Sequence, residues 1–238
     1  MSLRCVHEQT LLGTGGGIRN ALPLLGEEPF IVYNGDIYAE LNLAAAIALH
    51  RETGAKMTMI LREDPSADRL GSIEVDATGR VVRILNEGPP SSVATQRCMF
   101  TGVYILSPGV RDELPESGCI VRHSLRRWLA AGDRVSAVVD RGLWFDLGTP
   151  EAYADVVFRA LDGRITLAET VNTQQKQWID PSVSIDTAVL GEYVAIEQNV
   201  QLRAGASLRR AIVWSGSDVC DAVDGSIVTP HARLRIVR

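Results

Sequence analysis

Along the first two thirds of the chain, short apolar runs alternate with stretches whose apolar positions recur at helical spacing. Ile31–Tyr33, Met57–Leu61, Ser72–Val75, Val81–Leu85, Gly102–Leu106 and Val135–Val139 read as strands. A short apolar run bounded by turn formers is what a strand buried on both faces requires. Leu43–Glu52, Cys119–Ala131 and Pro150–Leu161 read as helices, and Ile18, Ala21, Leu22 and Leu25 form a further helical stripe. Thr149 offers an N-cap oxygen to the last helix, and Pro150 takes its first position, where a missing N–H is harmless. Asp76-Ala-Thr-Gly79, between two strand-like runs, predicts a hairpin loop. This order predicts an α/β domain over residues 1–165, its sheet mixed and mostly parallel with an antiparallel insertion.

After a polar stretch from Thr170 to Lys176 the pattern changes. Ile179, Ile185, Ile196, Leu202, Leu208 and Trp214 recur every six residues apart from one eleven-residue step. Val183, Val189, Val200, Ala206 and Ile212 follow the first five of them by four residues. Apolar residues at i and i+4 of a six-residue period, with Gly, Asp, Asn and Ser between, predict a hexapeptide β-solenoid over residues 176–238. An irregular β-tail would not keep that register. So short a solenoid must pack on the first domain or on another chain.

Composition narrows the partners. The 238 residues are 46% hydrophobic and carry a formal net charge of −5. Arginines are dispersed and form no basic run, so nucleic acid is not expected, and an anionic substrate must be met by local groups. Cys5, Cys98, Cys119 and Cys220 lie far apart with no CxxC pair. That spacing argues against a disulfide framework or zinc site and fits a reducing, cytoplasmic setting. No apolar stretch has the length of a membrane span, and the N-terminus shows no signal-peptide pattern. His7, His50, His123 and His231 stand isolated and read as surface or structural residues. His231 matters only to a competing acyltransferase reading, which needs more coils than this chain has.

Two segments offer chemistry. Gly13 to Gly17 opens a helical stretch, and consecutive glycines let backbone amides at a helix start approach a ligand closely. The plainer reading is a flexible connector. Asp36 follows the apolar run Phe30–Tyr33 in Asn34-Gly35-Asp36, the carboxyl end of a strand, where α/β folds bind ligands. Asn-Gly is also a hairpin-turn signal. Spacing alone leaves those two readings of Asp36 open, although the helical pattern of Leu41 to Leu49 does not return as an adjacent strand.

Leu12-Gly-Thr-Gly-Gly-Gly-Ile18, Asn34-Gly35-Asp36 and Trp144-Phe-Asp146-Leu-Gly-Thr-Pro-Glu151 together resemble the sugar-phosphate nucleotidyltransferases. The likeness is strongest to the mannose-1-phosphate guanylyltransferases, with a second to the N-acetylmuramate-1-phosphate uridylyltransferases. The resemblance implies a Rossmann-like sheet of nucleotidyltransferase type with a short C-terminal left-handed β-helix. It implies attack of a sugar 1-phosphate on a nucleoside triphosphate, giving NDP-sugar and pyrophosphate, with GDP-mannose favoured. It also implies that Asp36 and Asp146 hold Mg²⁺ and are the catalytic carboxylates. Gly13, Thr14 and Gly15 become nucleotide-site candidates, and Gly71, Glu87, Thr101 and Gly102 sugar-site candidates. The family usually carries a lysine after the glutamate, to neutralise the sugar phosphate; position 88 here is glycine.

The family's signature loop, Gly-x-Gly-x-x-Arg-x-x-Pro, and its Lys-Pro segment are not in this sequence. At about thirty residues per βαβ unit, about sixty residues of the family's first half are expected to be missing, an N-terminal truncation. That loop cradles the triphosphate, so little turnover is expected from this chain. The alternative is a non-catalytic regulatory or assembly subunit. A second alternative is a uridylyltransferase acting on an amino-sugar 1-phosphate. Exposure of Phe30–Tyr33 as a sheet edge predicts a homo-oligomer.

Overall fold

The computed structural model describes residues 2–65, 67, 72–85, 87, 95–166, 171–185 and 188–236. They form two compact units, Met1–Gly35 with Ala39–Trp144, and Asp36–Tyr38 with Phe145–Arg238. Among the described helices are α1 (Gly13–Ala21), α2 (Leu43–Thr53), α3 (Arg126–Ala130) and α4 (Pro150–Leu161). The first eight strands are β1 (Phe30–Tyr33), β2 (Ile37–Ala39), β3 (Met57–Arg62), β4 (Ile73–Asp76), β5 (Val81–Ile84), β6 (Thr95–Leu106), β7 (Val135–Val139) and β8 (Trp144–Asp146).

In the first unit β5, β4, β6, β3 and β7 lie side by side in that order, and β1 also pairs with β6. The long β6 organises this sheet. Its Thr95–Cys98 part pairs with β4 and its Val103–Leu106 part with β1, while its other edge pairs with β3. The sheet is mixed, as the sequence pattern predicts. Its balance differs from the mostly parallel expectation: among the described pairs of this sheet only β3–β7 is parallel. An apolar run reports that a strand is covered on both faces but not which way its neighbours run. Met57, Met59 and Leu61 of β3, Tyr104 and Leu106 of β6, and Trp128 of α3 are fully buried in the core.

Local chemistry sets the ends of these elements. Asn42 Oδ1 accepts from the Ala45 amide at 3.0 Å to cap α2, and Gly54, at φ +57°, ends it in the left-handed conformation. The expected hairpin at Asp76–Gly79 forms: Gly79 has φ +72° and Asp76 Oδ1 accepts from the Thr78 amide at 2.8 Å. The helix expected over Cys119–Ala131 is a π-turn over Val121–Leu125 followed by α3. β1 shows alternate burial, with Ile31 and Tyr33 exposed, and among the described strands it pairs with β6 alone.

The second unit contains β9 (Gln177–Ile179), β10 (Val189–Leu190), β11 (Val194–Ile196), β12 (Gln201–Leu202), β13 (Ser207–Val213), β14 (Asp218–Val219), β15 (Ala222–Val228) and β16 (Arg233–Arg235). Parallel pairing stacks Gln177, Val194, Ala211 and Ser226 in one column, and β12 with β14 forms a second face. This is a coil-on-coil arrangement compatible with a β-helix. Val194, Ile196, Ala206, Leu208, Val213 and Val223 fill its interior. Ala195, Ile212 and Ile227 point the other way and bury against Ala154, Phe158 and Leu161 of α4. The six-residue register holds at Ile196, Val200, Ala206 and Leu208, all buried. It slips at Ile185, Val189 and Trp214, which are exposed. β16 runs antiparallel on β15.

Candidate functional site

Asp36 and Asp146 meet on the β2–β8 ribbon, Asp36 just before β2 and Asp146 at the end of β8. The Leu147 amide donates to the Asp36 carbonyl at 2.7 Å, which clamps the two segments together. The Gly148 amide donates to Asp146 Oδ1 at 2.8 Å. Gly148 is where the two side chains converge: a β-carbon there would lie 3.0 Å from Asp146 Oδ1 and 3.7 Å from Asp36 Oδ2. Both carboxylates are exposed. The absent β-carbon leaves a cradle walled by hard oxygen donors, which fits Mg²⁺. Among the described residues no group of three or more His, Cys, Asp or Glu side chains is gathered for a metal. Two carboxylates with water and phosphate oxygens are a usual Mg²⁺ set.

Thr101 and Gly102 occupy a bulge in β6. Register jumps from Met59↔Tyr104 to Leu61↔Phe100, so β6 carries the extra residues. Gly102 has φ +83°, and a β-carbon there would stand 2.9 Å from Asn34 Nδ2. The Asn34 amide donates to the Gly102 carbonyl at 3.1 Å. Thr101 is buried. Its hydroxyl donates to the Ile60 carbonyl at 2.6 Å, and its carbonyl accepts from Trp144 Nε1 at 2.8 Å. Thr101 therefore fixes the bulge, and Gly102 and Asn34 are the groups held close against each other there.

The glycine-rich start of α1 is packed tightly by the loop before the π-turn. A β-carbon at Gly13 would meet the Gly118 backbone at 2.9 Å, and one at Gly15 the Pro115 ring at 2.6 Å. The Gly15 amide donates to the Gly118 carbonyl at 2.8 Å, and Thr14 Oγ1 accepts from the Ile120 amide at 3.1 Å. The glycines thus allow close backbone packing at the start of α1. Gly13 and Thr14 remain exposed, while Gly15 is buried.

Glu87 is exposed, bridges Ile84 through both backbone bonds, and pairs with Arg126. Leu85 takes φ +51° to make that turn. Gly71 and Gly88 lie outside the described residues. His50 is buried: Nδ1 sits 2.8 Å from Thr58 Oγ1 and Nε2 3.0 Å from Ser107 Oγ. Ser107 donates its own proton to the Ala55 carbonyl at 2.7 Å, so Nε2 carries the imidazole proton and Nδ1 accepts from Thr58. Burial lowers the His50 pKa from its ordinary value. The sequence reading missed Gly148, Asn34 and Trp144 as parts of these arrangements. Gly148 lay in view within Asp146-Leu-Gly148-Thr; nothing in the sequence tied Arg126 to Glu87.

A mixed α/β sheet followed by stacked β-coils is an architecture of nucleotidyltransferase type. The chain belongs to the nucleotidyl transferase family, whose model matches residues 1–162. It is 31% identical to a mannose-1-phosphate guanylyltransferase of Mycobacterium tuberculosis, over 64% of this chain and 43% of that protein. A probable mannose-1-phosphate guanylyltransferase of Oryza sativa is 26% identical over 98% of this chain and 64% of its own length. The chain thus spans less than two thirds of the length of these relatives. HddC from Yersinia pseudotuberculosis, in a crystal structure complexed with GMP-PN, matches with TM-score 0.50 at 28% identity, over 62% of each chain. UDP-glucose pyrophosphorylase from Acinetobacter baumanii shares the fold, with TM-score 0.51 at 23% identity over 65% of this chain and 58% of that one. Among the described residues no helix is long and apolar enough to cross a membrane.

Proposed function

We propose that this chain carries the metal- and sugar-binding part of a sugar-phosphate nucleotidyltransferase, taking a sugar 1-phosphate and a nucleoside triphosphate to an NDP-sugar and pyrophosphate. The carrying observation is the convergence of Asp36 and Asp146 on Gly148 in a chain of this family. Mannose 1-phosphate and GTP are favoured by the names of the relatives. Asp36 and Asp146 would hold Mg²⁺, which when bound offsets phosphate charge. Gly13, Thr14 and Gly15 are assigned to the nucleotide, and Gly71, Glu87, Thr101 and Gly102 to sugar hydroxyls. Residues 1–165 form the catalytic part and 176–238 the hexapeptide appendage, in a cytoplasmic setting suited to free thiols.

The second reading is a non-catalytic regulatory or assembly subunit of the same family. A pyrophosphate-release assay with mannose 1-phosphate and GTP, run beside UTP and dTTP, separates the two. We expect turnover below about one per second, the low end of usual enzyme rates, and none in Asp36→Asn. Metal and sugar-phosphate binding without turnover favours the subunit. Absence of both binding and turnover overturns the assignment.

A further inference from the structure

One corner of the stacked coils repeats the same backbone conformation from level to level. Gln177, Val194, Ala211 and Ser226 share a column, so the residues before them, Lys176, Tyr193, Arg210 and Gly225, share the corner. All four are left-handed, at φ +53°, +61°, +47° and +58°. That conformation is costly for an L side chain, yet Lys176, Tyr193 and Arg210 all carry long ones there. They stack as cation, ring, cation: Lys176 Nζ lies 4.7 Å and Arg210 Cζ 5.9 Å from the centre of the Tyr193 ring. Phe158 of α4 stands 5.2 Å from Arg210 Cζ and 5.4 Å from the Tyr193 ring. The distances among these three groups are nearly equal, so both rings lie to one side of the guanidinium. Tyr193 donates its hydroxyl proton to Asp162 at 3.0 Å, and Lys176 pairs with Glu192 at 3.3 Å. The Arg210 side chain has no hydrogen bond or ion pair among the described residues. The next level is Gly225, where no described atom beyond its chain neighbours lies within 4 Å of a β-carbon built on it. Ile236 follows, its amide donating to the Gly225 carbonyl at 2.8 Å.

We propose that the slot at Gly225, between Arg210 and Ile236, binds a flat aromatic ring bearing an anionic group, a nucleoside monophosphate being the plainest case. From the Arg210 level to the Ile236 level is two strand spacings, about 9.5 Å. That leaves room for one ring between a guanidinium and an alkyl side chain. The ring stacks on the face of Arg210 turned away from Tyr193 and Phe158, which continues the alternation of cation and ring. The anion meets the guanidinium edge, whose N–H donors have no partner in the described fold. Glycine is the one residue that keeps this level open, since any side chain at position 225 would enter the slot. Stacking on arginine does not depend on which base is offered, so the slot selects a ring and a charge together. It lies on the coils and stands independently of the reaction assigned to the first domain.

The test is titration of the full chain with AMP, adenosine and ribose 5-phosphate, in EDTA, followed by calorimetry and by the arginine Nε–H resonances. AMP is expected to bind about tenfold or more tightly than adenosine, the size of a charge-assisted contact, and ribose 5-phosphate more weakly still. One arginine resonance should move upfield with AMP and adenosine, as a ring stacks on it, and stay in place with ribose 5-phosphate. That resonance should be missing from Arg210→Gln, which should also weaken AMP about tenfold. Gly225→Tyr places a ring of the chain's own in the slot and should abolish AMP binding, at a corner where Tyr193 already holds the same conformation. Arg203→Gln, on another face of the coils, should change nothing. Where Gly225→Tyr fails to fold, the Arg210 resonance in the parent chain still decides the matter. AMP affinity unchanged in Arg210→Gln, an Arg210 resonance that AMP leaves in place, or adenosine binding as tightly as AMP overturns the proposal. Arg210-dependent binding in a chain without transferase activity keeps the slot and discards the enzymatic reading. Transferase activity in a chain whose Arg210 resonance ignores AMP does the reverse.

Discussion

The Gly148 amide donates to Asp146 Oδ1 at 2.8 Å, and a β-carbon on that same glycine would crowd the same oxygen at 3.0 Å. The glycine both aims the carboxylate and leaves room beside it. Gly148→Ala is therefore expected to weaken divalent-cation binding about tenfold or more, the usual scale for disturbing a ligand's supporting contacts. Mn²⁺ titration followed by electron paramagnetic resonance reads this directly. The site is exposed, so the thermal midpoint should barely move. Unchanged affinity would count against a metal at this pair.

Gly102→Ala tests the bulge in β6. The substitution meets a φ of +83° and an Asn34 amide at 2.9 Å. A loss of about 1–3 kcal/mol in urea unfolding is expected. Asn34→Ala with Gly102→Ala should recover the crowding share but not the backbone share.

His50 gives the fold a pH dependence. Burial holds its pKa below the ordinary value, so the folded state keeps the imidazole neutral. Below about pH 6.5 the unfolded chain takes up a proton that the fold refuses. This contribution is complete above that pH and is lost as pH falls toward the folded pKa. Urea midpoints at pH 7.5 and 5.5 should differ in the parent and differ less in His50→Gln.

Glu113 acts on the acid side. Burial alone would raise its pKa, but hydrogen bonds from Lys56 and Trp128 and the nearby charges of Lys56 and Arg127 outweigh burial and lower it. Its stabilisation is present above the unfolded pKa, about 4.3, and is lost as pH falls through the folded value. Glu113→Gln is expected to cost about 1–3 kcal/mol at pH 7, where Lys56 and Trp128 lose a charged acceptor. The variant should also flatten the acid limb of the stability profile.

Self-association is expected at β1, which exposes Ile31 and Tyr33 and pairs with β6 alone among the described strands. An apolar strand with an open edge recruits a partner strand, and a two-fold pairing closes it. Light scattering should return a dimer or larger species, and Ile31→Lys should shift it toward monomer. A concentrated monomeric parent would refute this.

Much of the fold was legible because burial writes itself as periodicity. Val135–Val139 and Pro150–Leu161 have the bounds the pattern predicts, and the Thr149 cap oxygen accepts from the Ala152 amide at 3.2 Å. Strand direction was not legible, since Met57–Arg62 is covered on both faces whether β6 runs with or against it. The slip at Val189 and Trp214 has a similar origin. A six-residue rule assumes that one side of each strand is buried, whereas Ala195 and Ile212 bury outward against α4. At the site, Asp36 and Asp146 were visible through motif likeness. The Arg126–Glu87 pair was not, because a contact across sequence-distant surface charges leaves no local trace.

The stacked coils carry one more consequence, for how this chain tolerates change in length. Each coil is held by the one above and the one below, as in a quasi-one-dimensional array. Removing one complete turn, from the Val194 position to the Ala211 position, would keep every inward side chain inward and leave the column one storey shorter. Removing three residues from the same turn would rotate every later side chain off its face. The antiparallel β16 is the exception to this parallel register: it reverses direction on β15. The column is a ruler that can be recut in whole divisions.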